Sequence, residues 1–295
     1  MDKIMITGAT GKLGGLTIEH LLNTRGISAN QIIALVRDEK KAKHLAEKGI
    51  EIRVGSYDDL ITLNLAFEGV NKLLLISSAE LDNVKRLQQN HNAVMAAKSA
   101  QVDHIFYVGL AHPELRAYEV EDVELATEHS IRAVNLPFTF IRNGTYLDEV
   151  TYDLKAAVKH GELLSSTNGK AFNYVLRKDL ALANATILTE EGHQNKTYEL
   201  VRSKLITYSD LASALSHVTE KEILYKEAPN NITIRRLIES GVNARAAESL
   251  VNVFHKAIAD GKFLSTSNDL EHLLGGQLTP LDQSVEALLK NQSTL

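Results

Sequence analysis

KIMITGATGKLGGL, Lys3 to Leu16, decides the fold. Lys3 to Thr7 is a short apolar run with β-branched members, and it ends at Gly8. Glycines then fall at Gly8, Gly11 and Gly14 before an apolar helical pattern, Leu16, Ile18, Leu21 and Leu22. The order is strand, glycine turn, helix. Glycine at the first position permits a tight turn, at the second lets backbone N–H groups approach a pyrophosphate, and at the third lets the helix pack closely. The phosphates then lie at the positive end of the helix dipole. A glycine triplet alone also suits ordinary turns; its place after a strand and before a helix is the context that makes it a dinucleotide fingerprint.

Working outward, Ile32 to Val36 (IIALV) reads as the second strand, followed by a polar helix from about Glu39 to Lys48 and a stop at Gly49. The residue after this strand sets the cofactor. An acid there holds the ribose 2′-hydroxyl of NAD, whereas a cation suits the 2′-phosphate of NADP. Arg37 offers a planar fork for phosphate, with Lys40 and Lys41 adding charge, so NADPH is expected over NADH. The competing reading is a solvated Arg37, with Asp38 serving NAD. Ile50 to Val54 is a third strand and Lys72 to Ser78 (KLLLISS) a fourth, its unbroken apolar run typical of a parallel strand covered on both faces. Ser77 and Ser78 stand at its carboxyl end, where open α/β sheets bind ligands; they either flank the cofactor ribose or serve a turn.

A helix over Gln88–Gln101, a strand over His104–Leu110, a helix over Glu121–Val134 and a run PFTFIR, Pro137 to Arg142, continue the alternation. Such alternation implies right-handed crossovers and a doubly wound parallel sheet of the Rossmann type. From Tyr198 the chain becomes helix-rich. Thr207 is read as the cap of a helix Tyr208–Thr219, Ile223 to Lys226 as a short strand, and Pro280 as opening the last helix. The division expected is a nucleotide-binding domain over 1–203 and a smaller C-terminal α/β lobe over 204–295 that closes the substrate site.

Composition removes several classes of function. A net charge of −5 leaves no basic stripe to capture nucleic acid. No apolar stretch has transmembrane length, and the first strand begins too near Met1 for a cleaved signal, so no membrane partner is expected. There is no Cys, which excludes disulfides, thiolate metal sites and cysteine nucleophiles and agrees with a cytoplasmic location. His255 and His272 lack acids at metal spacing; they read as structural or solvent-facing, and no metal is expected.

TGATGKLG at the start, LLLISS in the middle, TEHSIRAVNLPFTFIRNGTY (Thr127 to Tyr146), Lys178 to Ala183 and Thr279-Pro280-Leu281 together resemble the NmrA-like branch of the atypical short-chain dehydrogenase/reductases. Within that branch the chain is similar to bacterial NAD(P)H:quinone reductases and triphenylmethane reductases. The resemblance implies cofactor contacts at Gly8, Ala9, Thr10, Gly11, Lys12, Leu13, Arg37, Ser77, Ser78, Asn143, Gly144, Thr145 and Tyr146. Three positions depart from the family pattern: Ser56 replaces an Asp near the adenine, Gly109 a Ser or Thr, and His129 a Lys that some relatives use as a cofactor or catalytic contact. His129 reads either as a cofactor contact or as a polar surface residue.

Ordinary short-chain dehydrogenases lower the pKa of a Tyr with a Lys four residues on, so that the Tyr passes a proton to an alkoxide. Among nine tyrosines only Tyr174, with Lys178, has that spacing. FNYVLRKD reads as a strand running into a helix capped by Asp179, and in a strand such residues lie roughly 13 Å apart, too far to couple. No catalytic residue is therefore assigned. Hydride transfer to an already electron-poor quinone or carbocation needs no such pair, because the reduced nicotinamide supplies the hard step and the protein orients the rings. Tyr146 and Tyr152 offer an aromatic wall for a planar substrate, or else pack ordinarily. The sequence thus points to an NADPH-dependent oxidoreductase of planar aromatic acceptors. The alternative is a non-catalytic NAD(P)-sensing regulator, which Gly109 and His129 favour. An epimerase is disfavoured by the missing Tyr–Lys pair. A homodimer is left open.

Overall fold

Strand and helix alternate as the apolar runs predict, in a computed structural model that describes residues 2–116 and 120–290. The elements run β1 (Ile4–Ile6), α1 (Lys12–Asn23), β2 (Ile32–Val36), α2 (Lys43–Ala46), β3 (Glu51–Val54), α3 (Leu60–Phe67), β4 (Lys72–Ile76), α4 (Asn83–Ser99), β5 (His104–Leu110) and α5 (Glu121–Ala133). They continue as β6 (Phe138–Asn143), α6 (Thr151–His160), β7 (Glu162–Ser165), α7 (Arg177–Thr189), β8 (Lys196–Leu200), α8 (Tyr208–Thr219) and β9 (Leu224–Glu227). Then follow α9 (Asn230–Glu239), α10 (Ala244–Ser249), a π-helical turn Leu250–His255, α11 (Lys256–Ala259), α12 (Asp269–Leu273) and α13 (Leu281–Lys290).

Seven described strands form one parallel sheet in the order β3-β2-β1-β4-β5-β6-β8. The order reverses between β1 and β4, the switch point at which doubly wound sheets open a ligand crevice. Every residue of β2 and the centre of β4 are buried, as strands covered on both faces must be. Met5, Ile33, Leu73, Ile105, Phe140 and helix residues such as Leu63, Phe67 and Val94 fill that core.

The chain divides into two compact units. The first takes residues up to Asn143, Arg177–Leu200 and His272–Gly275; the second takes Gly144–Leu176, Val201–Glu271 and the residues from Gly276 on. A single boundary at 203/204 does not describe this interleaving. The second unit claims 144–176 because β7 pairs in parallel with β9, and because Phe172 bridges Ile206 in antiparallel fashion. It is an α/β lobe in its own right, smaller than the first.

Local boundaries follow capping chemistry. Thr207 caps α8, as expected, and does so in a full capping box with Asp210. The helix expected from Gln88 begins earlier, at Asn83, because Asp82 accepts from the Lys85 N–H. The segment 39–48 is a 3-10 turn, Glu39–Ala42, followed by the short α2, rather than one helix. In FNYVLRKD the strand reduces to isolated bridges at Phe172 and Val175. Asp179 is not the cap of α7 but lies in its first turn, since the helix starts at Arg177.

Candidate dinucleotide site

Thr7 follows β1 with its side chain fully buried. Its hydroxyl donates to the Leu74 carbonyl (3.2 Å) and accepts from the Ile76 N–H (2.8 Å), locking β1 to β4 at their carboxyl ends. Gly8 then turns the chain at φ +59°, a left-handed conformation that glycine adopts without strain, and its carbonyl accepts from the Gly11 N–H at 2.9 Å. Helix α1 starts at Lys12, earlier than the apolar periodicity suggests, so Gly14 falls inside it. A Cβ on Gly14 would stand 2.4 Å from the Gly8 carbonyl oxygen; only hydrogen lets the helix sit on its own turn. The α1 N-terminus has no side-chain cap and no acid in its first turn, which leaves it suited to an anion. Gly8, Thr10, Gly11 and Lys12 are exposed there, whereas Ala9 and Leu13 are buried and offer only their backbone.

One strand over, Arg37 is exposed at the end of β2 and makes no hydrogen bond or ion pair among the described residues. Asp38 is engaged locally, its Oδ1 accepting from the Lys40 N–H (3.0 Å) as cap of the following 3-10 turn. The local structure therefore uses the acid and leaves the guanidinium open, beside exposed Lys40 and Lys41. A Ser56 hydroxyl, where the family has Asp, accepts from the Asp58 N–H (3.2 Å) and shapes a turn. The neighbouring Tyr57 donates its hydroxyl to the Ile76 carbonyl (2.9 Å), bracing the end of β4.

Ser77 and Ser78 follow β4 on the other side of the switch point, but their hydroxyls are engaged. Ser77 Oγ donates to Glu124 Oε1 (2.9 Å) and accepts from Asn90 Nδ2 (3.1 Å) and Arg86 Nη2 (3.1 Å). Ser78 Oγ donates to Gln89, and its N–H donates to Asn90 Oδ1 (2.9 Å). Glu124, on α5, also receives the Tyr107 hydroxyl (2.5 Å) and Arg86 Nη2 (2.7 Å). Burial pushes its carboxyl up, and Arg86 and Tyr107 act against that shift. One helical turn on, Glu128 takes a bidentate fork from Arg142 (2.7 and 2.8 Å), whose remaining nitrogen reaches Glu199 Oε1 (2.7 Å); these bonds hold the guanidinium above its ordinary pKa. Glu199 Oε2 accepts from the His112 N–H (2.9 Å), at a left-handed residue.

The motifs of the sequence do not reveal this network. Its one signal is on α5, where the buried face runs Val123, Glu124, Thr127, Glu128, Ile131: two glutamates hold positions that periodicity reserves for apolar side chains. Gly109 belongs to the same arrangement, since a Cβ there would lie 2.9 Å from Glu124 Oε2. His129 lies exposed on the opposite face of the helix, as a polar surface residue would.

The remaining candidates sit at or beyond the end of β6. Asn143 is buried, and its carbonyl accepts from the Ala111 N–H (2.8 Å). Gly144, Thr145 and Tyr146 open the second unit, where Thr145 and Tyr146 run beside Val175. Tyr146 and Tyr152 are both half-buried, and Tyr152 makes no hydrogen bond among the described residues. Tyr174 is buried and takes Arg202: Nη1 donates to its hydroxyl at 2.9 Å and the guanidinium lies 4.8 Å from the ring centroid. Lys178 lies in the first turn of α7, in the first unit. His272 is exposed and His255 is buried among polar partners. No cluster of three metal-ligating side chains occurs among the described residues.

The strand order, the glycine turn at the switch point and the uncapped helix define a Rossmann-type dinucleotide-binding protein. The chain belongs to the NmrA-like family, whose model matches residues 1–285. It is 34% identical to quinone oxidoreductase 2 of Escherichia coli strain K12 over 97% of this chain and 98% of that one. Among solved structures it superposes on the Citrobacter sp. triphenylmethane reductase complexed with NADP(H) with a TM-score of 0.90, 41% identity and coverage of 97% and 99%. The NADPH-dependent quinone oxidoreductase of Escherichia coli complexed with NADPH gives 0.86, 33%, 97% and 100%. The residues here suit such a cofactor: the exposed Gly8–Gly11 turn at the uncapped α1 suits a pyrophosphate, and the open Arg37 suits a 2′-phosphate.

Proposed function

We propose that this chain is an NADPH-dependent oxidoreductase that passes a hydride to a quinone or a similar planar aromatic acceptor. The observation that carries the reading is the open Arg37 beside the glycine turn, in a chain whose only Tyr–Lys spacing is taken by Arg202. Family membership along nearly the whole chain, with relatives named for quinone and triphenylmethane reduction, supports it. When bound, the reduced nicotinamide supplies the hydride. The backbone from Gly8 to Leu13 would receive the pyrophosphate, Arg37 the 2′-phosphate, and the Ser77-Ser78 segment and Asn143 to Tyr146 the rest of the cofactor. Because the Ser77 and Ser78 hydroxyls are engaged, that segment would act through its shape and backbone.

Tyr146 and Tyr152 are the rings that would face the acceptor, with the second quinol proton coming from solvent. The lack of Cys supports a cytoplasmic setting, and the net negative charge argues against a nucleic-acid partner. Light scattering on the eluting protein reads whether it is a homodimer. The central test mixes purified protein and NADPH with a panel of quinones and triphenylmethane and azo dyes. Acceptor-dependent NADPH oxidation is expected, and none above background with any acceptor refutes the reading in favour of a sensor that binds without turnover.

A further inference from the structure

We propose that Glu124 and Asn90, both sealed inside the first unit, are positioning residues for the nicotinamide cofactor, acting through Ser77 and Ser78. This rests on the reading that the chain binds NADPH. The crevice at the switch point has two walls. By the strand order these are the Gly8 turn, which follows β1, and the chain that leaves the neighbouring β4 at Ser77.

A hydroxyl has one proton and two lone pairs, and Ser77 Oγ uses all three, donating to Glu124 and accepting from Asn90 and Arg86. Its N–H is also committed, to the Val108 carbonyl at 3.1 Å. Ser77 therefore has no hydroxyl valence left for a ribose. What it offers a ligand is a fixed main chain, and the fixing is done from behind. Asn90, fully buried, spans both serines with one amide: Oδ1 takes the Ser78 N–H while Nδ2 gives to Ser77 Oγ and to Thr127 Oγ1 (3.2 Å). Ser78 Oγ in turn accepts from the Glu80 N–H (3.1 Å), carrying the constraint along the loop.

A carboxylate 1% exposed is a costly way to hold a loop, and a buried ion pair is weak grounds for stability. Its worth lies in specifying one arrangement. Three donors converge on Glu124, from Tyr107, Arg86 and Ser77, and β5 is stripped to Gly109 where the carboxylate stands. A wall held in one conformation spares the ligand the entropy of ordering it. The expected effect of loosening it is on cofactor affinity, with the acceptor untouched.

The test measures NADPH binding directly, by calorimetry or fluorescence, beside Tm and the two KM values. Glu124→Ala is expected to weaken NADPH by about tenfold or more, raising its KM with the acceptor KM within about twofold, and Glu124→Gln to restore binding to within about threefold. Tyr208→Phe, in the second unit, provides a variant whose loss of stability carries no loss of NADPH affinity. Should Glu124→Ala fail to fold, Ser77→Ala removes the link itself and is expected to weaken NADPH comparably. Folded Glu124→Ala or Ser77→Ala binding NADPH within about twofold of wild type overturns the proposal, as does an equal affinity loss in Tyr208→Phe. Wild-type protein that fails to bind NADPH would instead sink the proposed function.

Discussion

Each unit buries a carboxylate against a tyrosine, and the two do different things. In the first, Tyr107 donates to Glu124 at 2.5 Å; in the second, Tyr208 donates to Asp153 at 2.8 Å. Burial drives both phenols well above their ordinary pKa. Glu124 is matched by a cation, Arg86, and reaches Ser77 at the crevice wall. Asp153 pairs with no Lys or Arg among the described residues. Its partner is His255 Nε2 (3.0 Å), while His255 Nδ1 accepts from the Ser166 N–H (3.3 Å). Asp153 Oδ1 is buried with no hydrogen bond among the described residues. The second cluster ties α6, α8 and the π-helical turn to one another. The same pair of groups thus fixes the chain leaving β4 in one unit and holds helices together in the other, and the difference lies in what the outermost member touches.

The largest expected effect breaks the second cluster. Asp153→Ala strands the Tyr208 hydroxyl and the His255 N–H in the interior, which should cost ~3 kcal/mol or more of stability, read as a fall in Tm or denaturant midpoint. NADPH affinity should stay within about twofold of wild type; a weaker NADPH complex at unchanged Tm would erase the contrast between the clusters. Next comes Arg37→Ala, which asks whether the first unit alone sets cofactor choice. Lost charge-assisted bonds should weaken NADPH by roughly ten- to a hundredfold and leave NADH nearly unaffected. Equal losses for both cofactors, or tighter NADH binding by the wild type, would hand the role to Asp38.

Gly109→Ala is milder and probes the wiring of the first cluster. The new methyl would press on Glu124 Oε2, so about 1 kcal/mol of stability and a severalfold NADPH affinity should be lost together. Affinity unchanged at reduced Tm would separate Gly109 from the wall. The smallest effect is a pH slope at the amino-terminal end of the sheet. His104, at the start of β5, stacks on Phe106 and bonds Thr139 Oγ1, and burial lowers its pKa from 6.5 to about 4. Between those values the unfolded chain binds a proton that the folded chain refuses, so stability should fall as pH drops through the window. His193 is shifted in the same direction, chiefly by burial. His104→Asn should flatten the slope without moving NADPH affinity; an unchanged slope would assign it elsewhere.

Much of the fold was legible because its signals are local. A turn at Gly8, an apolar run such as Ile32 to Val36 and a cap at Thr207 depend on residues within a few positions, and each stands where the pattern puts it. Arg37 was legible for the same reason, as the first residue past a strand. β7 and β8 were not. Four or five residues of mixed polarity, as in ELLS and KTYEL, carry little periodicity, and only their partners make them strands.

The sequence by itself determined the alternating sheet, the glycine turn with its nucleotide chemistry and the place of a cation directly after β2. Tertiary structure alone decided that 144–176 joins the second unit, that the Ser77 and Ser78 hydroxyls face inward, and that Glu124, Glu128 and Asp153 are buried. The reason is distance along the chain. Arg86 and Glu124 are 38 residues apart, Ser77 and Glu124 are 47 apart, and Asp153 and His255 are 102 apart. A charged side chain in a helix looks the same to its neighbours in sequence whether it meets water or a partner, and only the packed fold brings the partner to it.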